Sequence, residues 1–181
     1  MSSTAADIVI RRATSEDAAR LASIGARLFT QAYGPTHPEP ELSRYLSRCF
    51  DVGVVSEALA DDGTTFLLAC DAAGADIGYA WLHETKDVPP NGVVARRPFE
   101  IVRFYVDEPW HGRGVAQALM VACVADARAR EVDVMWLATW QPATRAQAFY
   151  RRMGFEIVGT TTFLFGDKLE DDFLMARSVE P

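Results

Sequence analysis

The residues best placed to do chemistry form a short glycine-containing loop between a predicted strand and a predicted helix. The loop 111–114 reads HGRG and joins the strand 99–106 to the helix 115–130. Two glycines with one residue between them let the backbone turn sharply, so several N–H groups point outward at the positive end of the helix. Such a loop can bind phosphate, and the Arg113 side chain adds positive charge. A tight structural turn is the alternative.

Two well-known phosphate-binding motifs do not fit this loop. A P-loop needs Gly-Lys-Ser/Thr, which the loop lacks. A dinucleotide-binding fingerprint needs a third glycine where Gln117 stands, and an acidic residue at the end of the next strand, whereas Asp133 begins that strand. Both motifs are therefore excluded.

A second stretch that could do chemistry is an aromatic helix near the C-terminal end, predicted at 142–153. Four of its side chains recur at i, i+3, i+4 and i+7, which predicts one inward face; they are Ala146, Phe149, Tyr150 and Met153. A tyrosine in such a stripe is most often a core residue. Pro142 is predicted in the first turn of this helix, and Gly154 directly after it.

The elements that must position both stretches follow the order β-α-α-(α)-β-β-β-α-β-α-β-β. Apolar periodicity and turn residues predict strands at 8–12, 64–70, 77–83, 99–106, 133–139, 155–162 and 172–178. They predict helices from Ala18 to Phe29 or Tyr33, and at 39–50, 55–60, 115–130 and 142–153. Thr14 and Asp17 resemble a capping box. Helix 115–130 is apolar nearly all round in its first three turns, which predicts a buried helix. This order predicts a mixed α/β (α+β) sheet with helices on its faces.

Together the two stretches, about 55 residues in matching order and spacing, resemble the acetyl-CoA-binding motifs of the GNAT superfamily of N-acetyltransferases. The pattern Arg/Gln-x-x-Gly-x-Gly/Ala falls on His111, Gly114 and Ala116. The later pattern, aliphatic-x-Trp…Arg-Ala…Phe-Tyr-x-x-x-Gly-Phe, falls on residues 137–155. Two positions depart from the family: His111 replaces Gln or Arg, and Ala143 stands where Asn is common.

The resemblance implies a single GNAT domain over residues 1–181. It implies a twisted, mostly antiparallel sheet of about seven strands, helices on both faces, and a splayed parallel pair formed by 99–106 and 133–139. It further implies an acyltransferase that binds acetyl-CoA in the splay and moves the acetyl group directly to a primary amine, with no metal. The implied cofactor-binding residues are Phe104, Tyr105, Val106, His111, Gly112, Arg113, Gly114, Val115, Ala116, Ala143 and Arg152.

The resemblance also implies the catalytic residues. Tyr150 would protonate the departing thiolate, which is reasonable because a Tyr near ~10 and a thiol near ~8.5 have similar pKa values. A primary amine, with a pKa near ~10.4, arrives protonated and needs a base. Glu100 is the candidate, since its apolar neighbours should raise its pKa. The alternative is a Glu100 that is solvated or paired with Arg103, and His83 and His37 are weaker candidates for the base.

Charge suggests the kind of acceptor. Residues 39–95 carry a net charge of −7 and residues 156–181 a net charge of −4, whereas residues 96–155 carry +3. The acidic segments would attract a cationic amine, or they are simply solvated surface. The stretches 28–50 and 159–175 resemble small bacterial spermidine/spermine N-acetyltransferases, which implies a polyamine-like acceptor. The expected substrate-binding residues are Phe29, Tyr33 and His83, with a cavity under 29–40 and the loop 85–96. Other small amines, protein lysines or N-termini, and a non-catalytic acyl-CoA sensor are the alternatives.

Composition sets outer limits on function. The chain has 181 residues, is 49% hydrophobic and 24% charged, and carries a net charge of −7, which fits one folded domain and argues against nucleic-acid binding. Three widely spaced cysteines predict reduced thiols, and three scattered histidines predict no metal site. No signal-peptide h-region and no apolar stretch of about 20 residues is present, so we expect a cytoplasmic protein without a membrane partner. A homodimer is compatible with the sequence.

Overall fold

A computed structural model describes residues 8–84 and 88–180 of the chain. Its strands are β1 (Val9–Arg12), β2 (Thr64–Cys70), β3 (Asp76–Glu84), β4 (Pro98–Val106), β5 (Val134–Trp140), β6 (Glu156–Phe165) and β7 (Lys168–Ser178). Its helices are α1 (Ala18–Tyr33), α2 (Glu41–Cys49), α3 (Val52–Ala60), α4 (Val115–Ala129) and α5 (Thr144–Arg152). Short 3-10 turns at Ser15–Asp17 and Glu108–Trp110 precede α1 and α4.

Over the described residues, seven strands form one sheet in the order β1-β2-β3-β4-β5-β7-β6. β4 and β5 run parallel, whereas β1 with β2, β5 with β7 and β6 with β7 run antiparallel. The predicted mixed α/β fold with one parallel pair is therefore confirmed. The parallel pairing joins Pro98–Glu100 to Val134–Trp136 and ends there, although β4 itself continues to Val106.

The chain divides into two compact units, the first made of the described residues up to Trp81 together with Arg103–Ala122. In this unit α1 and α3 cover one face of the strands, with Leu21, Leu28, Val55 and Phe66 among the buried residues. The opposite face, which includes Ala69 and Ile77, is covered by Val115 at the start of α4.

The entry to α1 is fixed by the predicted capping box. The Thr14 N–H donates to Asp17 Oδ2 at 2.9 Å, and the Arg11 guanidinium donates to both Asp17 carboxylate oxygens at 2.6 and 2.8 Å. The buried Asp17 carboxylate therefore has partners on all sides, as a buried charge requires.

The second unit consists of Leu82–Val102 and the described residues from Cys123 onward. Its largest feature is the β6–β7 hairpin, which pairs from Glu156 with Ala176 to Phe165 with Lys168. The sequence predicted that the first of these strands would end at residue 162 and that the second would begin at residue 172, and both of these bounds were wrong. The turn between them has only two residues, Gly166 and Asp167, and Gly166 adopts a φ of +60° that few other residues tolerate.

Three further expectations were wrong in detail. α5 begins at Thr144, so Pro142 lies in the turn before it rather than in its first turn. The buried face of α5 includes Gln147, which the apolar stripe omitted. α4 is not buried all round, because Val121 is 58% exposed.

Candidate active site

The glycine loop at the start of α4 has the backbone geometry that an anion site needs. Gly112 and Gly114 have φ values of +76° and +84°, in the left-handed region that favours glycine. The first helical hydrogen bond runs from the Ala118 N–H to the Gly114 carbonyl at 2.9 Å. Within the described chain, the N–H groups of Val115 and Ala116 thus donate to no backbone acceptor. A Cβ at Gly112 would meet nothing within 4 Å, so the space beside the loop is open.

Two side chains of the loop are held by the protein itself. The His111 Nε2–H donates to the Val106 carbonyl at 2.7 Å, which ties the loop to the end of β4. The Arg113 guanidinium carbon lies 5.5 Å from the centre of the Trp110 ring. The His111 side chain is thus engaged with the protein backbone. The loop fits a pyrophosphate through its free N–H groups and the Arg113 charge.

A residue that sequence reasoning missed, Gln31 of α1, fixes the approach to the loop. Its Nε2 donates to Asp107 Oδ1 at 3.1 Å, and its Oε1 accepts from the Glu108 N–H at 3.1 Å. Arg27, one turn earlier on α1, forms an ion pair with the same Asp107 carboxylate. No sequence pattern links α1 to residue 107, because these contacts join positions about 80 residues apart.

The three predicted cofactor residues at the end of β4 are half-buried, and they are Phe104, Tyr105 and Val106. The Tyr105 ring packs 5.9 Å from Tyr79 and 6.3 Å from Phe29, and burial raises its pKa well above the usual range. Gly78 of β3 allows a close approach here, since a Cβ on it would stand 2.8 Å from the Tyr105 carbonyl.

Aromatic side chains gather in the first unit where the acceptor was expected. Phe29 lies 4.5 Å from Tyr33 and 4.6 Å from Tyr45 between ring centres, and 5.6 Å from Phe50. The predicted substrate-binding residues Phe29 and Tyr33 therefore belong to one cluster. We use "aromatic cluster" for the following seven side chains: Phe29, Tyr33, Tyr45, Phe50, Tyr79, Trp81 and Tyr105.

Two histidines, His37 and His83, were weaker candidates for the general base, and they lie in different surroundings. His37 is buried, and its Nδ1 lies 3.1 Å from the Tyr33 carbonyl and 2.9 Å from Thr36 Oγ1, so it stabilises the turn after α1. His83 is half-buried near the end of β3 and belongs to the second unit. Residues 85–87 of the loop expected over the acceptor lie outside the described residues.

Glu100 ends the parallel pairing of β4 with β5, opposite Trp136. The side chain is half-buried, and burial raises the pKa of its carboxyl group above the usual value. Among the residues that the structure describes, no ion pair or hydrogen bond involves this carboxylate, so the alternative of a pair with Arg103 is not seen. An unpaired carboxylate with a raised pKa has the properties of a general base.

Tyr150 lies on the inner face of α5 and is 8% exposed. Its ring packs edge-on against Phe149 at 5.5 Å and Phe155 at 5.8 Å. One turn earlier, Gln147 Nε2 donates to the Gln141 carbonyl at 2.7 Å and to the Trp140 carbonyl at 3.2 Å, which fixes the turn that leads into the helix.

The two remaining predicted cofactor residues lie at opposite ends of α5. Ala143 directly precedes the helix, and Arg152 is exposed in its last turn. Neither has a hydrogen bond or ion pair within the described part of the chain beyond the backbone bonds of its turn or helix.

Comparison with known proteins identifies the family to which this fold and this site belong. The acetyltransferase (GNAT) family model matches residues 26–155. The chain therefore belongs to the GNAT family of N-acetyltransferases, which use acetyl-CoA as acetyl donor.

Individual relatives agree with this class. An uncharacterized N-acetyltransferase of Mycobacterium tuberculosis is 32% identical over 163 residues, which cover 90% of this chain and 98% of the relative. The L-methionine sulfoximine/L-methionine sulfone acetyltransferase of Pseudomonas paraeruginosa is 33% identical over 109 residues, or 57% of each chain. Among solved structures, PaiA N-acetyltransferase from Thermoplasma acidophilum in complex with coenzyme A matches with a TM-score of 0.76 over 94% of this chain and 98% of that one, at 17% identity.

Residues 8–84 and 88–180 contain no group of three or more His, Cys, Asp or Glu side chains that could hold a metal ion. Within the same ranges, no helix is both long and apolar enough to cross a membrane.

Proposed function

We propose that this enzyme transfers the acetyl group of acetyl-CoA directly to the primary amine of a small-molecule acceptor, with Glu100 as general base and Tyr150 as general acid. The observation that carries the proposal is the Glu100 carboxylate. It is half-buried, has a raised pKa and has no ion-pair partner among the described residues, at the end of a strand pairing. A carboxylate that only stabilised the fold would be expected to have a partner.

Each group has a defined task. Acetyl-CoA supplies a thioester with an electrophilic carbonyl carbon and a thiolate leaving group. Glu100 takes a proton from the ammonium form of the acceptor, because the amine is nucleophilic only when it is neutral. The neutral amine nitrogen attacks the thioester carbonyl carbon, and the C–S bond breaks once the C–N bond has formed. The Tyr150 hydroxyl donates a proton to the departing sulfur and regains one from the newly acylated nitrogen, which becomes a neutral amide. The loop N–H groups of Val115 and Ala116, with Arg113, bind the pyrophosphate.

His111, Gly112 and Gly114 are proposed to shape the same loop, and Phe104 to Val106, Ala143 and Arg152 to line the rest of the coenzyme. No covalent enzyme intermediate is required, because base and acid suffice for direct transfer. The three cysteines are unpaired, in keeping with the cytoplasmic location that we propose.

The acceptor is proposed to be a small molecule. A relative that matches over half of this chain is named for acetylation of L-methionine sulfoximine, a small molecule, which supports this class. The net charges of residues 39–95 and 156–181 support a cationic, polyamine-like acceptor. Several of these acids are, however, engaged in ion pairs within the protein, such as Asp76 with Arg20 and Glu84 with Arg97.

The test is an amine panel assayed by thiol release from acetyl-CoA. The panel contains spermidine, L-amino acids, an aminoglycoside and a lysine-containing peptide. We expect a kcat/KM for at least one small amine that exceeds the value for the peptide at least tenfold. Turnover of the peptide alone would contradict the proposal. Stabilisation of the protein by acetyl-CoA with no turnover of any amine would identify a non-catalytic binding protein instead.

A further inference from the structure

Arg103 occupies an unusual position in the aromatic cluster. Its guanidinium carbon lies 4.4 Å from the centre of the Phe50 ring and 4.8 Å from that of Trp81. Tyr45 also forms a hydrogen bond with it. The residue as a whole is half-buried, and the two rings and the Tyr45 hydroxyl hold its guanidinium in place.

Within the described residues, no Asp or Glu side chain forms an ion pair with the Arg103 guanidinium. The side chains that act electrostatically on Arg103 are the hydroxyl groups of Tyr45, Tyr79 and Tyr105. Other partly buried arginines behave differently, for example Arg11 and Arg20, which form ion pairs with Asp17 and Asp76. A guanidinium carries five N–H donors in one plane, and rings packed on its faces leave the donors at its edge for other partners.

Two buried polar atoms beside Arg103 have no partner within the described residues. They are the Tyr79 hydroxyl and the Trp81 Nε1–H. Buried polar groups nearly always form a hydrogen bond, so each one without a partner requires an explanation. Tyr79 is only 2% exposed, and its hydroxyl lies near Gly25, where a Cβ would come within 3.1 Å of the oxygen.

We propose that Arg103 binds the carboxylate of an acceptor that carries both an amine and a carboxylate, that is, a small amino acid. A planar carboxylate matches the fork of a single guanidinium, with two parallel N–H···O bonds. The Tyr79 hydroxyl and the Trp81 indole N–H are further donors in the same cluster, and the rings of Phe29 and Tyr33, 4.5 Å apart, make its surroundings apolar.

This inference deepens the proposed function and rests on it for turnover, although its binding part can be measured separately. It differs from the polyamine prediction in one respect that can be tested. A polyamine has no carboxylate, and the Arg103 charge would repel it.

The first experiment uses the unmodified protein with matched acceptors. L-leucine, L-methionine and L-phenylalanine are each compared with their primary amides and their decarboxylated amines, alongside spermidine. We expect kcat/KM for at least one amino acid to exceed the value for its amide and its amine tenfold or more. Equal or higher values for the amides, the amines or spermidine would overturn the carboxylate proposal and leave the acetyltransferase proposal intact.

The second experiment removes the guanidinium. Arg103→Met is expected to raise KM for the preferred amino acid about 10- to 100-fold, the loss typical of a hydrogen bond to a charged group, with little change in KM for its amide. Arg103→Lys should lie between the two. Arg48→Met on exposed α2 is the matched control. An equal rise for acid and amide would show a structural role and contradict the proposal.

Binding without turnover completes the test. Calorimetric titration of the coenzyme A complex with the same amino acids and amides needs no chemistry. We expect heat of binding from the amino acid and none from its amide at the same concentration. If neither binds, the carboxylate site is wrong, whether or not the protein acetylates other amines. If the amino acid binds but no thiol is released from acetyl-CoA, the proposed acetyltransferase function is contradicted, whereas the proposed carboxylate site at Arg103 is supported.

Discussion

Glu100 pairs with Trp136 in the last residue pair of the parallel β4–β5 pairing. The pairing therefore ends at the residue that we propose as the general base. A strand that leaves its neighbour exposes backbone donors and acceptors, which then need other partners. Burial of the Glu100 side chain raises the pKa of its carboxyl group.

The acid role of Tyr150 can be separated from its packing role by Tyr150→Phe. The ring contacts with Phe149 and Phe155 would be retained in this variant. We expect kcat to fall about 10²-fold or more, because general acids contribute factors of this size. An unchanged kcat in steady-state thiol release would mean that Tyr150 is only a core residue.

The role of the glycine loop at residues 111–114 in coenzyme binding can be tested with two glycines that share one backbone conformation. Gly112 and Gly74 have φ values of +76° and +82°, and a Cβ on either would meet nothing within 4 Å. Gly112→Ala and Gly74→Ala should each cost about 1–2 kcal/mol of stability from backbone strain.

The two variants should differ in coenzyme binding. We expect the dissociation constant of coenzyme A to rise at least fivefold in Gly112→Ala and to stay unchanged in Gly74→Ala, measured by calorimetry. Equal affinities in both variants would show that the loop does not contact the coenzyme.

Gln31 is predicted to position the loop from a distance. Gln31→Ala removes the hydrogen bonds to Asp107 and the Glu108 N–H, so the end of β4 loses part of its support. We expect KM for acetyl-CoA to rise about 3- to 10-fold, the effect of one or two hydrogen bonds. The control is Thr30→Ala, whose hydroxyl bonds to Ala26 in its own helix. A similar rise in both variants would indicate a general effect on α1.

Asp17 should make the stability of the fold sensitive to acid. Hydrogen bonds from Arg11, together with the Thr14 N–H, hold the pKa of Asp17 well below its usual range. A lowered pKa in the folded state stabilises the protein above the unfolded value of about 3.9, and the contribution is lost as pH falls toward the folded value.

The variant Asp17→Asn tests this directly. It should lower the free energy of unfolding by about 1–3 kcal/mol at pH 7 and reduce the loss of stability between pH 5 and 2. Urea unfolding at several pH values measures both effects. An unchanged pH dependence would assign acid sensitivity to other carboxylates.

Local patterns in the sequence predicted most of the fold and the backbone turn at residues 111–114. Strand β2 has its predicted bounds, Thr64–Cys70, and the loop glycines adopt the predicted turn, because periodicity and glycine conformation are local properties. The arrangement around Arg103 was not predictable. It depends on Phe50 and Trp81, which lie in different segments of the chain and reach the guanidinium only through tertiary packing, whereas net charge per segment is a property of the linear sequence.

The most direct test of the central claim is the pH dependence of kcat/KM for the best amine, compared between the unmodified enzyme and Glu100→Gln. Because a base must be ionised to accept a proton, kcat/KM should fall tenfold per pH unit below the raised pKa of Glu100. In Glu100→Gln this acid limb should disappear, and the plateau should drop by about 10²-fold or more. An intact acid limb in Glu100→Gln would show that another group, or solvent, removes the proton.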